Sequence, residues 1–178
     1  MLVKGDAFSQ ADSGVRFEWG ATGVTHLAAD AACLVVVYVL SFTTPVTVAN
    51  ATVVAYRLAR HGYGTPERPI AVIAAGEFWP GGTLRPAVED LLGADAIISE
   101  LHWHDARRLS AEAAAARVCF EEVRDVAQAV TDSPSGRELA AAGFAQDIAI
   151  AIAIAIATEH DTSRVVPLLS DGAFTAAR

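Results

Sequence analysis

Cys33-Leu-Val-Val-Val-Tyr-Val-Leu40 is an unbroken apolar run rich in β-branched residues. Such a run, with no polar alternation, reads as a strand buried on both faces of a parallel sheet. The next stretch, Ser41-Phe-Thr-Thr-Pro45, carries helix-start signals, with Thr44 as N-cap and Pro45 in the first turn. A helix is expected from Val46 to His61, with Val53 and Leu58 facing inward and Gly62 and Gly64 ending it. Pro69-Ile-Ala-Val-Ile-Ala-Ala75 then reads as a second buried strand. Strand, helix and strand joined by short links make a βαβ unit with a right-handed crossover. The expected fold class is α/β, a mainly parallel sheet with flanking helices, as a single domain over residues 1–178.

Gly76-Glu-Phe-Trp-Pro-Gly-Gly-Thr83 is expected as a loop at the carboxyl end of the second strand, the edge where open α/β sheets bind ligands. Arg85 to Leu92 should open the next helix, with Thr83 near its cap. Ser110 to Val130 reads as one long alanine-rich helix, with Glu112, Glu121, Glu122, Arg124 and Asp125 on its wet face. Ser133-Pro-Ser-Gly-Arg-Glu138 starts another, with Ser135 as cap and Glu138 three positions on, as in a capping box. Val165 to Leu169 is a short final strand or extended segment. Ile and Ala alternate strictly from Ile148 to Ala157, with the period of a strand and the composition of a helix. Period alone leaves both open, and helix is the expectation for the first part.

The 178 residues suffice for one domain of ordinary size. Lys and Arg number 13 against 21 Asp and Glu, a net charge of −8, which disfavours nucleic acid or an anionic membrane surface as the main partner. At 53% hydrophobic and 19% charged residues the chain can fill a core. Cys33 and Cys119 are far apart in apolar surroundings, as reduced core thiols would be. Lys4, Asp6, Gln10 and Asp12 break any signal-like run, and the longest apolar stretches are too short to span a bilayer. A soluble cytoplasmic protein with no membrane partner is expected. Its mean hydropathy of +0.35 makes a homodimer one expectation.

Three acids stand at strand ends or helix starts: Glu77, Glu89 and Asp90. Open-sided carboxylates suit Mg²⁺, which keeps waters for a substrate phosphate. The plain alternative makes Glu89 and Asp90 first-turn acids favoured by the helix dipole. Gly81-Gly-Thr83 offers backbone N–H groups to an anion if a helix follows, with Arg85 adding charge. His102-Trp-His104 can reach one metal ion from an extended segment, but no third ligand stands at a recognised spacing, so exposed loop histidines are the weightier reading. Ser41, Thr43 and Ser135 read as caps rather than nucleophiles, since no base lies near them in sequence.

Taken together, four segments resemble the 2-phosphosulfolactate phosphatases: Val35 to Thr44, Ala71 to Gly93, Ser135 to Asp147 and Val166 to Phe174. The resemblance implies an α/β fold and Mg²⁺-dependent hydrolysis of 2-phosphosulfolactate, a small anionic phosphomonoester, to sulfolactate and phosphate, a step of coenzyme M biosynthesis. It implies Glu77 and Asp90 as catalytic acids, and Glu77, Glu89 and Asp90 as metal ligands. Ser41, Thr43, Arg85, Ser135 and Arg137 become the substrate contacts. Three departures mark this chain. Tyr38 stands where members carry an acid at the first strand's end. A stretch with a Pro-Asn-Gly-Ser/Thr motif is missing, as if deleted internally near residue 50. The Ile/Ala tract looks like an expansion of a shorter family segment.

Two other readings stay open. One is a non-catalytic relative that binds an anion or a partner subunit. The other is an oligomeric scaffold packing through the Ile/Ala segment.

Overall fold

Three short β-rich segments, Val15–Trp19 (β1), Cys33–Val37 (β2) and Ile70–Ala74 (β3), make a parallel sheet in the order β1-β3-β2. The computed structural model describes residues 10–40, 50–105, 108–144, 166–170 and 173–177. Thr44, Pro45 and the Ile/Ala tract lie outside the described residues. Helix α1 (Gly20–Leu27) follows β1, and α2 (Ala51–Arg60) links β2 to β3, which gives the expected βαβ unit.

Alternation sorts the sheet into two faces. On one, Val15 and Phe17 of β1, Val35 and Val37 of β2, and Ile70, Val72 and Ala74 of β3 join the main core. Helices α2, α3 (Val88–Asp105) and α4 (Ala111–Glu122) close that core, with Ala94, Ile97, Ile98 and Leu101 of α3 in its middle. Val53 and Leu58 pack against it from α2, as their spacing implies. On the other face α1 packs on β1 and β3, and Leu27 covers Ala71 and Ile73.

Burial on both faces therefore holds for β3, all five residues of which are buried, and fails for β2. Leu34 and Val36 are 39% and 42% exposed. Among the described residues β2 is an edge strand, and α1 packs mainly on β1 and β3. The other edge is occupied. Leu109 bridges Val15, and the Gln10 amide imitates a strand by donating to the Phe17 carbonyl at 2.7 Å and accepting the Phe17 N–H at 3.0 Å.

Several elements differ from the sequence expectation. No element was expected before Cys33, yet β1 and α1 form there, with Arg16 and Glu18 on the face away from the main core. The stretch after β3 is a hairpin rather than a loop. Glu77–Phe78 (β4) pairs antiparallel with Leu84–Arg85 (β5), and α3 begins only at Val88. Thr83 does not cap it, and the Gly81-Gly-Thr83 N–H groups do not crown a helix.

His102 and His104 lie inside α3, about 200° apart around the helix axis, so they cannot converge on one ion. The expected helix from Ser110 to Val130 is broken in two. Asp125 caps α5 (Val126–Asp132) by accepting the Gln128 N–H at 2.8 Å. Its carboxylate thus serves a new helix start instead of a wet face. The cap of α6 (Pro134–Ala141) is Ser133, not Ser135, accepting the Gly136 N–H at 2.9 Å.

Both thiols are free, but Cys33 is only half-buried and Cys119 is exposed, off the Ala113 and Ala116 stripe of α4. A hairpin of Val166–Ser170 (β6) and Ala173–Ala177 (β7) completes the described chain. No helix among the described residues is long and apolar enough to cross a membrane.

The junction of α5 and α6 is tight. A Cβ on Gly136 would run into the carbonyl oxygens of Val130 and Thr131. Gly136→Ala is therefore expected to push α6 off α5 and cost about 2 kcal/mol, read as a lower urea midpoint with an unchanged m-value.

Candidate active site

The first turn of α3 lies against the carboxyl ends of β2 and β3, and one side chain fixes it there. Asp90, fully buried, accepts the Val39 N–H on Oδ1 at 2.7 Å and the Gly76 N–H on Oδ2 at 2.8 Å. Val39 follows β2 and Gly76 follows β3, so one carboxylate binds two strand ends to one helix start. Gly76 has a φ of +68°, and a Cβ there would press on the Leu84 side chain at 2.8 Å; only glycine takes this turn without strain. Burial pushes the Asp90 carboxyl up to about 7 against the two N–H bonds, and the Glu89 and Glu77 charges add to the rise.

Glu89 stands beside it. It is 2% exposed, and its Oε2 has no hydrogen-bond partner. Half-buried Glu77 opens β4 directly after Gly76, and its Oε1 accepts the Tyr38 hydroxyl at 2.9 Å. Burial first, and then Glu77 as hydrogen-bond partner and charge, push the Tyr38 phenol up to about 12. Asp90 and Glu89 contribute further. Tyr38 thus stays a neutral donor at every ordinary pH. The structure brings Glu77, Glu89, Asp90 and Tyr38 into one electrostatic cluster at the edge where the sheet opens.

Among the described residues no group of three or more His, Cys, Asp or Glu side chains is arranged to hold a metal ion. The chemistry of the donors nonetheless fits a cation. A buried carboxylate oxygen without a partner is costly until a proton or cation meets it, and Glu89 Oε2 is one. Mg²⁺ usually takes only one or two carboxylates and fills its remaining positions with water and phosphate oxygens.

Arg85 stands across the hairpin from Glu77 in the β4–β5 register. Its Nη2 donates to Ser135 Oγ at 3.4 Å and to Glu138 Oε2 at 3.1 Å, and its guanidinium lies 5.8 Å from the Trp79 ring centroid. Arg85 and Ser135 are therefore brought together, while Arg137 is exposed on α6. Ser41 and Thr43 lie outside the described residues.

Sequence reasoning missed Glu138 as the partner of Arg85, since its capping-box spacing pointed elsewhere. It also missed Asp95, a fully buried acid on α3 whose two oxygens have no partner. Its signal was there, a lone acid inside Leu91-Leu-Gly-Ala-Asp-Ala-Ile-Ile98. A cavity of about 520 Å³ opens elsewhere, between Thr52 of α2, Ser99 and Trp103 of α3 and Glu121 of α4. Ser99 is about 15 Å along the helix from Glu89, so the cavity is separate from the acid cluster.

The family model for 2-phosphosulpholactate phosphatase matches residues 44–172, well over half of the chain. No curated protein matches it.

Proposed function

Since the chain belongs to the 2-phosphosulfolactate phosphatase family, we propose that it is a Mg²⁺-dependent phosphatase acting on 2-phosphosulfolactate or a similar small acidic phosphomonoester. The observation that carries the Mg²⁺ part of this reading is the buried, unpartnered Oε2 of Glu89 beside Glu77 at the open edge of the sheet. In this reading Glu77 and Glu89 hold the cation. Bound Mg²⁺ supplies charge neutralisation for the phosphoryl group and lowers the pKa of a water.

The chain's own residues then position. Asp90 keeps the ends of β2 and β3 in register with the start of α3. Tyr38 restrains Glu77 by donating to one oxygen, which leaves the other to the site. Arg85 and Ser135 face an anionic group of the substrate, across the hairpin from Glu77. Phosphoryl transfer asks for this kind of charge compensation and placement more than for a covalent protein group.

One observation favours a second reading, that of a non-catalytic relative. The Tyr38 hydroxyl already satisfies Glu77, so one carboxylate is partly neutralised without any metal.

Phosphate release from 2-phosphosulfolactate by the purified protein, with Mg²⁺ and again with EDTA, separates the two. Release that needs Mg²⁺ supports the phosphatase. No release from a folded sample removes it and leaves the non-catalytic relative. Glu89→Gln should lower Mg²⁺ affinity at least about tenfold, one 1.4 kcal/mol step, measured by calorimetric titration. Unchanged affinity would remove Glu89 from the metal site.

A further inference from the structure

Arg85 and Glu138 form an unequal pair. The arginine side chain is 9% exposed and the glutamate side chain 72%. One contact of 3.1 Å joins them, from Nη2 to Oε2, and Ser135 Oγ shares that nitrogen at 3.4 Å. A guanidinium offers five N–H donors in a fork that matches two oxygens of a carboxylate, sulfonate or phosphate, so a single-oxygen contact uses little of it.

The costs of separating the pair are equally unequal. The carboxylate is already largely in water and loses little by moving fully into it. The guanidinium, 9% exposed and 5.8 Å from the Trp79 ring centroid, is largely out of water. An anion able to take two donors would therefore replace Glu138 with a gain in hydrogen bonding that is set against the hydration it sheds at a largely buried guanidinium. The position is apt for it, since Arg85 pairs in register with Glu77 across two short strands.

We infer that Glu138 is an internal stand-in for a ligand anion: Arg85 and Ser135 form a subsite for one acidic group of a small polyanion, which Glu138 covers until that group displaces it. The inference rests on the proposed phosphatase reading for the ligand's identity only; the exchange needs no turnover.

Inorganic phosphate is the probe, titrated calorimetrically without Mg²⁺ into the full-length chain. Glu138→Gln keeps the side-chain size, removes the competing charge and is exposed enough to leave the fold alone. It should bind phosphate about tenfold more tightly than the parent. Glu138→Asp, whose shorter carboxylate reaches less far, should shift affinity the same way. Arg85→Lys keeps the charge without the fork and should weaken binding by at least tenfold.

A simple structural clasp predicts otherwise: Glu138→Gln would lower the melting temperature and leave phosphate affinity unchanged or weaker, and that result overturns the inference. So does wild-type affinity in a folded Arg85→Lys, or the absence of saturable binding in both the parent and Glu138→Gln. Failure to hydrolyse 2-phosphosulfolactate, with Glu138→Gln still binding phosphate more tightly, would instead remove the phosphatase and leave the subsite.

Discussion

Asp90→Ala is expected to lower stability by about 4 kcal/mol, the scale for stranding two buried donors, read as a fall in the urea midpoint at pH 4, where the raised Asp90 carboxyl is neutral in the folded chain and no ionisation penalty offsets the loss. The two donors are the Val39 and Gly76 N–H groups, whose only acceptor among the described residues is this carboxylate, at 2.7 and 2.8 Å. Alanine leaves both without the acceptor that the fully buried Asp90 side chain supplies. It also unties α3 from the strand ends, so the loss should spread to the hairpin that begins at Glu77. Asp90→Asn should cost less, because an amide retains one acceptor oxygen. If alanine and asparagine cost the same, small amount, the two N–H groups have another acceptor and Asp90 does not fix the site.

Asp95→Ala should act in the opposite direction. Asp95 is fully buried, neither oxygen has a partner, and burial alone pushes its carboxyl up to about 8. A folded-state value raised above the ordinary 3.8 means that the native chain resists ionisation. Below pH 3.8 the acid is neutral in both states and costs no ionisation energy. Between 3.8 and 8 the unfolded chain ionises and the folded chain does not, so stability falls as pH rises, and above 8 the full penalty stands. Alanine removes it and is the best helix former.

The variant should therefore be about 2–3 kcal/mol more stable than the parent at pH 9, a value discounted for relaxation around the group, and much closer to it at pH 4. Asp90, raised to about 7, adds a slope of the same sign to both chains and cancels in the difference. Equal stability differences at pH 4 and pH 9 would mean that Asp95 does not ionise at a penalty.

The legible part of the fold was local. Ile70–Ala74 and Cys33–Val37 are contiguous apolar runs, so they declare two strands and the helix between them, though burial on both faces holds only for the first. Val15–Trp19 is shorter of such signal because Arg16 and Glu18 interrupt it. The hairpin β4–β5 has two residues on each side, too few to show a period, and its Pro-Gly-Gly turn reads as loop. Asp125 has the same charge on a wet helix face as at a helix cap, and only the chain's path distinguishes them.

The site divides in the same way. Glu77, Glu89 and Asp90 announce themselves by following a strand or opening a helix. What Asp90 holds does not, because Val39 lies 51 residues before it in sequence. Arg85 and Glu138, 53 apart, meet only once α6 has docked. Covalent neighbours supply propensity; partners at such separations are chosen by packing.

The sheet's two borders are unlike, and this gives the molecule a direction. Beyond β1, the Gln10 amide and Leu109 already occupy the positions a further strand would need. Beyond β2, the described chain offers uncharged Leu34 and Val36 and no proline or lysine to deter a newcomer. As far as the described residues go, any lengthening of this sheet, whether by a designed peptide, by a grafted segment or by misassembly at high concentration, has a single side on which to begin. One lysine in place of Leu34 or Val36 would be the simplest guard to install there.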